Sequence, residues 1–417
     1  MSSLTIYILL FFSVFSIRVP FFYNSTVLAF IILSFLLLFL NTRKLVINFG
    51  IFKSKIFILL FPLYCLLFLF CFIFPYYHDT NDYSKHWALL SQVFSIITIY
   101  LLAQLANKKI NDDLVYFSAK AIFVIYTIQA FFVLICFLFP SVNELMEIFR
   151  SPDGTQYDSF GRYEGVKRLS LSGGQYFTLS ASWVMSFIIT SFYFKENKTT
   201  PLLIITFLIA FLFAGVSAGR IVFLGFFFSI FFLAKDLFVR RVLVTILACF
   251  MMSITFFYLF SSYTDNFNRY INFAFELYYN WKQHGNMSSE STDILKSMYF
   301  TIDLDTFLFG HGRYMQDNGL YYLNTDAGYL RMILFYGIFG LLLNIVIDLI
   351  KLYLITVYSG YRLNFVAILL GASLFLIHVK GETFNHIVSV QAILYWLLFS
   401  CYFYNKRERI IIKEKEL

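Results

Sequence analysis

Arg220 is the residue whose position most strongly indicates chemistry in this sequence. It closes a Ser-Ala-Gly-Arg turn in the middle of the apolar stretch 202–234, and no acid nearby in the sequence neutralises it. A cation within an apolar segment is costly, so it usually has a functional partner. Because guanidinium groups donate forked hydrogen bonds to phosphoryl oxygens, we expect a phosphate or pyrophosphate ligand. The alternative is a structural arginine that caps carbonyl groups of the preceding helix.

Asp326 is the first candidate general base. It lies where a long polar loop enters the tenth apolar segment, near several arginines, and a carboxylate there could take a proton from a substrate hydroxyl. An aspartate at this position is also typical of a helix N-cap, and both roles can coexist. Arg331, about a turn and a half into the segment, is either another phosphate ligand or the ion-pair partner of Asp326.

Two other residues are candidates for catalysis. His311 lies between two glycines, a pattern that indicates a tight backbone turn. Glu382 lies among the ionisable residues of the last outer loop, which include Lys380 and His386, and it is the second candidate base.

The first long loop carries more cations than an outer loop usually does. Arg150, Arg162, Lys167 and Arg168 all lie in it, against the general bias of basic residues toward the cytoplasm. They predict an anion site at the membrane surface, and the alternative is a solvated loop neutralised by its own acids. The candidate pyrophosphate- and sugar-binding residues are Arg162, Arg168, Arg313, Tyr329 and Arg331.

The sequence offers no recognisable cofactor site. It has no GxxxxGK loop, no GxGxxG after a strand, no HExxH and no Cys/His metal spacing, so we expect no nucleotide, cofactor or metal. The energy for any reaction must then reside in the substrate. A net charge of +8 would suit a nucleic-acid partner, but we attribute it to basic cytoplasmic loops and expect no nucleic acid.

The elements that must position these residues are membrane helices. The chain of 417 residues is 60% hydrophobic and only 13% charged, whereas soluble domains are about 25% charged. A spanning helix needs about 20 apolar residues. The sequence therefore predicts an all-α polytopic membrane protein with about twelve transmembrane helices, at 4–22, 25–40, 56–74, 88–105, 121–139, 176–194, 202–215, 221–234, 242–260, 327–350, 363–379 and 387–404.

The charges of the loops predict the topology. Short basic loops, including one with Lys351 and Arg362, are assigned to the cytoplasm together with both termini. Both flanks of 202–234 are basic, so we expect this stretch to cross the membrane twice, with Arg220 at the turn. The interiors of the other spans are expected to hold amides, such as Gln92 and Gln391, but no charges.

The outer face is expected to carry two large loops, 140–175 and 261–325, above a single integral membrane domain that covers 1–417. Most of the candidate residues fall in these loops or at the adjoining ends of the spans. We therefore expect the functional groups to lie on the non-cytoplasmic face.

Several short motifs resemble those of bacterial O-antigen polymerases and O-antigen ligases. The turn at 217–220 (SAGR) is similar to their Ser-x-Ser-Arg turn, and 308–312 (LFGHG) is similar to their LFGxG motif. The segments 326–330 (DAGYL) and 336–341 (YGIFGL) resemble the polymerase pattern D-[SA]-G-Y-L … G-I-x-G-L. Ligases usually have His-Asn-x-Tyr-Leu at this place, so Asp326 favours the polymerase (Wzy type).

The resemblance implies a metal-independent glycosyltransferase of the C-type membrane fold, in the bacterial inner membrane and with periplasmic loops. Its substrates would be undecaprenyl-pyrophosphate-linked oligosaccharide repeat units within membrane lipids, and a chain-length regulator would be a protein partner. The growing glycan would leave its lipid pyrophosphate and join a hydroxyl of the next lipid-linked unit, as in lipopolysaccharide biosynthesis. Fixed arginines would stabilise the departing anion and a carboxylate would activate the hydroxyl.

Two other functions remain open from the sequence. An O-antigen ligase would perform the same chemistry with lipid A core as the acceptor. A flippase for lipid-linked sugars, or a secondary transporter, would perform no chemistry. Transporters place ionisable groups and broken helices near the middle of the membrane, so the expected absence of charges from the span interiors disfavours them.

Overall fold

A computed structural model of the chain describes residues 3–19, 22, 24–39, 49–110, 113–150, 166–174, 176–233, 265–285 and 288–416. These residues form sixteen α-helices, with short 3-10 turns and no β-strand among them. The predicted all-α fold is confirmed at this level. The helices are α1 (Ser3–Phe15), α2 (Ser25–Phe39), α3 (Lys55–Tyr77), α4 (Ser84–Lys109), α5 (Leu114–Leu138), α6 (Pro140–Met146), α7 (Tyr176–Glu196), α8 (Pro201–Ala218), α9 (Val222–Leu233), α10 (Asp265–Ala274), α11 (Glu276–His284), α12 (Glu290–Met298), α13 (Leu304–Phe309), α14 (Gly328–Tyr358), α15 (Asn364–His378) and α16 (Val388–Glu416).

Five helices, α3, α4, α5, α7 and α14, are long and apolar enough to cross a membrane. Five others, α1, α2, α8, α9 and α15, are apolar but shorter over the residues described. Helices lie at eleven of the twelve predicted spans, while the ninth, 242–260, lies outside the described residues. The protein therefore has several membrane-spanning candidates, and the total of twelve stays a prediction.

The chain divides into two compact units, a division that nothing in the sequence indicated. Unit 1 comprises Met1–Leu9, Thr26–Val115 and Ser291–Leu417, and unit 2 comprises Leu10–Ser25 and Tyr116–Glu290. The expected outer loop 261–325 contributes α10 and α11 to unit 2 and α13 to unit 1, so its described part is largely helical.

Within unit 2, α8 and α9 form the predicted hairpin on α7. Phe207 of α8 packs against Phe194, near the end of α7, and Phe211 packs against Trp183, nearer its start. Along α9 the order is reversed, because Gly225 lies close to the backbone of Val184 and the later Ser229 bonds to Ser191. The two helices therefore run in opposite directions, and residues 219–221 form the turn between them.

Within unit 1, α14 is broken at Gly337, which has φ 64° and ψ −173°. The break exposes the carbonyl of Leu334, and the amide of His311 donates a hydrogen bond of 2.6 Å to it. A side chain on Gly310 or Gly337 would collide with the backbone of the other segment. Gly310 of the LFGHG segment and Gly337 of the YGIFGL segment are thus explained by a close backbone approach at a helix break.

The same helix corrects two expectations about charge. α14 continues to Tyr358, beyond the expected end at 350, and Lys351 is fully buried within it instead of lying in a cytoplasmic loop. Asp348 is also fully buried and pairs with Lys351 at 2.7 Å. The expectation that the span interiors hold no charges was therefore wrong.

Candidate functional site

Glu382 lies at the centre of a buried group of polar side chains in unit 1. Its Oε2 accepts hydrogen bonds of 2.6 Å from Lys85 Nζ and from the Tyr314 hydroxyl. His386 Nε2 lies 3.4 Å from the same oxygen and Arg331 Nη2 lies 4.0 Å from it. We call these five residues the Glu382 cluster. The Glu382 side chain is only 1% exposed, so its interactions with these groups are barely screened by water.

Arg331 is held between two aromatic rings. Its guanidinium carbon lies 4.2 Å from the ring centre of Tyr314 and 3.5 Å from that of Tyr321. Nη1 donates a hydrogen bond of 3.0 Å to Asp326, but among the described residues Nε and Nη2 have no hydrogen-bond partner although they are buried, and the same holds for Glu382 Oε1. Buried polar atoms of this kind are uncommon in folded proteins, and their partner can be a water, an ion or a ligand.

Four separate segments bring the Glu382 cluster together. Lys85 lies in the first turn of α4, and Arg331 in the first turn of α14. Glu382 and His386 come from 379–387, the connection between α15 and α16. Tyr314 follows the LFGHG segment, and a carboxylate oxygen of Asp82 accepts its backbone N–H at 2.6 Å and that of the next residue at 2.7 Å.

The two candidate bases differ in their ionisation. Partial burial raises the pKa of Asp326 to about 6, a change that the nearby Arg331 opposes and the Glu382 carboxylate reinforces. Burial would also raise the pKa of Glu382, but Lys85 and the other basic groups outweigh it and hold that pKa well below its usual range. Burial, with the nearby Lys85 ammonium, lowers the pKa of His386 to about 3. Asp326 is therefore the carboxyl that can exchange a proton near neutral pH.

Asp326 does not cap α14. The N-cap of that helix is Ala327, and the Asp326 side chain, 42% exposed, points to Arg331 instead. Of the two roles expected for Arg331, that of ion-pair partner is present in the structure. Asp326, Arg331 and Glu382 are thus three predicted site residues that the structure brings together.

The other predicted residues of unit 1 make contacts elsewhere. The His311 ring lies 2.8 Å from the Thr306 hydroxyl and 3.2 Å from that of Tyr322, so both ring nitrogens face loop side chains. Arg313 pairs with Asp317 on the same loop at 2.6 Å. Tyr329 donates a hydrogen bond to the carbonyl of Phe375 and packs on His378. The roles expected for these three stay predictions.

Unit 2 contains a basic cluster of its own. Its described arginines are Arg150, Arg168 and Arg220, and each of them has a glutamate partner. Arg150 is 1% exposed, donates to the carbonyl of Ser170 at 2.9 Å, and pairs with Glu147 at 2.8 Å. Arg168 pairs with the same glutamate at 3.2 Å. Arg162, a predicted ligand in the same loop, lies outside the described residues.

Arg220 lies at the turn between α8 and α9 as predicted, but it is neutralised. Glu276, at the start of α11, accepts a hydrogen bond of 2.6 Å from its Nη1, and the two side chains are 15% and 12% exposed. The guanidinium also packs on the ring of Phe273, as does the Lys167 ammonium. No acid lies near Arg220 in the sequence, and the partner that the structure provides is 56 residues away.

A second buried polar group in unit 1 was missed from the sequence. We call it the Asp348 network. Lys351 Nζ donates to Asp348, Asn385 and Gln391 at 2.7, 3.1 and 2.5 Å. Asn385 also bonds to Asn344 of α14. A small cavity lined by Lys85, Gln92, Asn344, Asn385 and His386 lies between this network and the Glu382 cluster.

Within the described ranges, no group of three or more His, Cys, Asp or Glu side chains is placed to hold a metal ion. Comparison of the chain with protein-family models, with curated proteins and with solved structures found no match. Any conclusion about function therefore depends on the sequence motifs and on the geometry of the clusters.

Proposed function

We propose that this protein is a membrane glycosyltransferase that polymerises polysaccharide repeat units carried on undecaprenyl pyrophosphate. The observation that carries the proposal is Arg331. Its buried Nε and Nη2 have no hydrogen-bond partner in the described structure, and two carboxyl groups, Asp326 and Glu382, lie beside it. Transfer of a sugar from a pyrophosphate requires two groups. One is a cation that donates forked hydrogen bonds to the pyrophosphate, and the other is a group that accepts the proton of the attacking hydroxyl.

The proposed reaction is a substitution at the anomeric carbon of the donor sugar. The acceptor hydroxyl oxygen forms a bond to that carbon, and the bond from the carbon to the pyrophosphate oxygen breaks. The electron pair of the broken bond leaves with the lipid pyrophosphate, and the hydroxyl proton passes to Asp326. Because the leaving group gains negative charge in the transition state, Arg331 stabilises the transition state more than the bound donor.

Glu382 has a different part in this reaction. Its lowered pKa keeps it ionised, and it holds Lys85 and the Tyr314 hydroxyl in place. The rings of Tyr314 and Tyr321 fix the plane of the Arg331 guanidinium. We therefore assign the proton transfer to Asp326 and the fixed electrostatic field to Glu382 and Lys85.

Unit 2 supports the proposal independently. Polymerisation uses two lipid-linked pyrophosphates, one on the donor and one on the acceptor, and the described residues of each unit include a basic cluster. In unit 2 the sets Arg150–Glu147 and Arg220–Glu276 hold guanidinium groups that a pyrophosphate could take over from their glutamates. We assign this cluster to binding of a lipid pyrophosphate, without a role in proton transfer.

Reconstitution tests the proposal directly. Purified protein in liposomes is mixed with lipid-pyrophosphate-linked repeat units isolated from the source organism, and products are separated on a gel. We expect a ladder of polymer with wild-type protein but none with Arg331→Ala. The control is Lys296→Ala, which changes an exposed cation of α12 and should also give a ladder. Absence of polymer from wild-type protein that is folded and supplied with substrate would contradict the proposal.

The Asp348 network favours a second candidate, a flippase or transporter of lipid-linked sugars. Tyr64 contacts this network through Asn385 and is 13 residues from the end of α3 at Tyr77, which is about 20 Å along a helix. A buried ion pair beside a broken helix near mid-membrane is typical of transporters. Transfer of a labelled lipid-linked unit between leaflets of the same liposomes, with no polymer formed, would favour this candidate.

A further inference from the structure

The connection 379–387 has its tip inside unit 1, at Asn385. Asn385 is 6% exposed and has φ 46°, a left-handed conformation that asparagine adopts more readily than most residues. Glu382 precedes this tip by three residues and His386 follows it directly. The way in which Asn385 is anchored therefore determines where both side chains of the Glu382 cluster lie.

Three groups of Asn385 are bonded to surrounding helices. Its backbone N–H donates to Asp348 at 2.8 Å, and its Oδ1 accepts hydrogen bonds from the Tyr64 hydroxyl at 2.5 Å and from Lys351 at 3.1 Å. Its Nδ2 lies 3.4 Å from Asn344 Oδ1. Because the partners belong to α3 and α14, they fix the tip in position and orientation.

The Asp348–Lys351 ion pair, which contacts Asn385, contributes little net stability. Asp348 and Lys351 are both fully buried, and removing two charges from water costs about as much as their attraction returns. All three protons of Lys351 are directed at acceptors, on Asp348, Asn385 and Gln391. Because these interactions fix the geometry around Asn385 but add little stability, we assign them a role in positioning.

We propose that Asn385 is a positioning residue for the reaction at the Glu382 cluster, anchored to the Asp348–Lys351 pair as a fixed frame. The inference rests on the proposed glycosyltransferase and assigns a role to a network outside the reacting groups. Without the anchor, Glu382 stays chemically intact but shifts relative to Arg331, which is fixed by its own helix. A displacement of about 1 Å at reacting groups can reduce the rate about 100-fold.

Two variants remove the anchor to different degrees. Asn385→Leu is close in volume and removes the three side-chain hydrogen bonds of Asn385. Tyr64→Phe removes one of these three, the bond from the Tyr64 hydroxyl, together with the hydrogen bond that Tyr64 accepts from Tyr395. The control is Gln129→Leu in α5 of unit 2, another fully buried amide, whose side-chain atoms have no hydrogen-bond partner in the described structure. If Asn385→Leu does not fold, Tyr64→Phe alone tests the inference.

The first readout is kinetic. We expect kcat to fall on the order of 10- to 100-fold in Asn385→Leu and less in Tyr64→Phe, while KM changes little because Arg331 and unit 2 still bind the substrate. The second readout does not depend on activity. The chain has six histidines, so isotope-labelled histidine NMR, with His386→Gln for assignment, follows the His386 ring as pH is varied.

In wild-type protein His386 should stay neutral down to about pH 5, because its pKa is about 3. Burial is the main cause of this low pKa, so a connection that has lost its anchor and admits water to the His386 ring should bring its titration into the range of about pH 5 to 7. An unchanged kcat and an unchanged His386 titration in folded variants would overturn the inference, as would an equal loss of kcat in Gln129→Leu. If wild-type protein makes no polymer, the glycosyltransferase proposal fails, and the His386 titration still decides the positioning role.

Discussion

The two units each hold a basic cluster, but the surroundings of the arginines differ. In unit 2, Arg150 and Arg220 are each paired with a glutamate within 3 Å. In unit 1, Arg331 bonds to Asp326 through one nitrogen and keeps two buried nitrogens without a hydrogen-bond partner in the described structure. A paired arginine must exchange one anion for another, whereas Arg331 can gain a ligand without losing its carboxylate. Remaining hydrogen-bonding capacity, and not the number of cations, therefore distinguishes Arg331 from Arg150 and Arg220, and it is the reason why we propose the reaction at Arg331.

Asp326→Asn should have the largest effect of the substitutions that test this comparison. The amide keeps the shape of the side chain but accepts no proton, and loss of a general base typically slows a reaction about 100- to 10,000-fold. The rate of polymer formation from purified protein measures the effect. Glu382→Gln serves as the comparison, and normal polymer from Asp326→Asn would transfer the role of base to Glu382.

The pH dependence of the wild-type rate distinguishes Asp326 from Glu382 as the base without any substitution. Because a base acts only when ionised and the pKa of Asp326 is about 6, the rate should fall about tenfold per unit as pH drops below 6. The pKa of Glu382 is held well below its usual range, so a reaction that used it would show no such fall. A flat profile between about pH 5 and 7 would contradict the assignment to Asp326.

Arg331→Lys tests whether the geometry of the guanidinium matters beyond its charge. An ammonium cannot replace two forked hydrogen bonds or the contacts that the planar guanidinium makes with the Tyr314 and Tyr321 rings. Loss of one stabilising donor at a developing anion costs about 100- to 1,000-fold in kcat. Arg220→Lys is the matched change in unit 2, where we expect a weaker effect, mainly on KM. Equal effects on kcat at both positions would remove the distinction between the two clusters.

Glu276→Gln should have the smallest effect, and unlike the other substitutions it should improve substrate binding. In unit 2 the carboxylate of Glu276 competes with a phosphate for Arg220, and partly exposed pairs of this kind contribute about 0.2 to 1 kcal/mol. Removing the negative charge should therefore lower KM for the lipid-linked substrate about two- to fivefold. A raised KM would show that Glu276 positions Arg220 for binding instead of competing with the ligand.

Local sequence patterns identified much of the architecture and part of the site. Apolar stretches located eleven of the described helices, but not α6 or α10 to α13, which lie in the expected loops 140–175 and 261–325. The basic flanks of 202–234 indicated the hairpin that α8 and α9 form. Asp326 and Arg331 are five residues apart, and their pairing was one of the two expected roles. The glycines that flank His311 indicated a tight backbone turn, but nothing in the sequence indicated that Gly310 would lie against the break in α14 at Gly337.

The remaining features depend on contacts that are distant in the sequence. Lys85 is 297 residues from Glu382, and Arg220 is 56 residues from Glu276, so no local pattern links either pair. The Asp348–Lys351 pair could have been found, because the two residues are three positions apart and the apolar run continues to Tyr358. Assigning Lys351 to a basic loop concealed an i, i+3 ion pair inside a helix.

The most direct test of the central claim is the lipopolysaccharide of a strain that lacks this protein, separated on a silver-stained gel. A polymerase joins repeat units but does not attach them to lipid A core, so the deletion strain should show core with a single repeat and no ladder. The ladder should return with the wild-type chain and not with Arg331→Ala. Core alone with lipid-linked polymer accumulating would indicate a ligase, absence of both would indicate a flippase, and an unchanged ladder in the deletion strain would contradict the account outright.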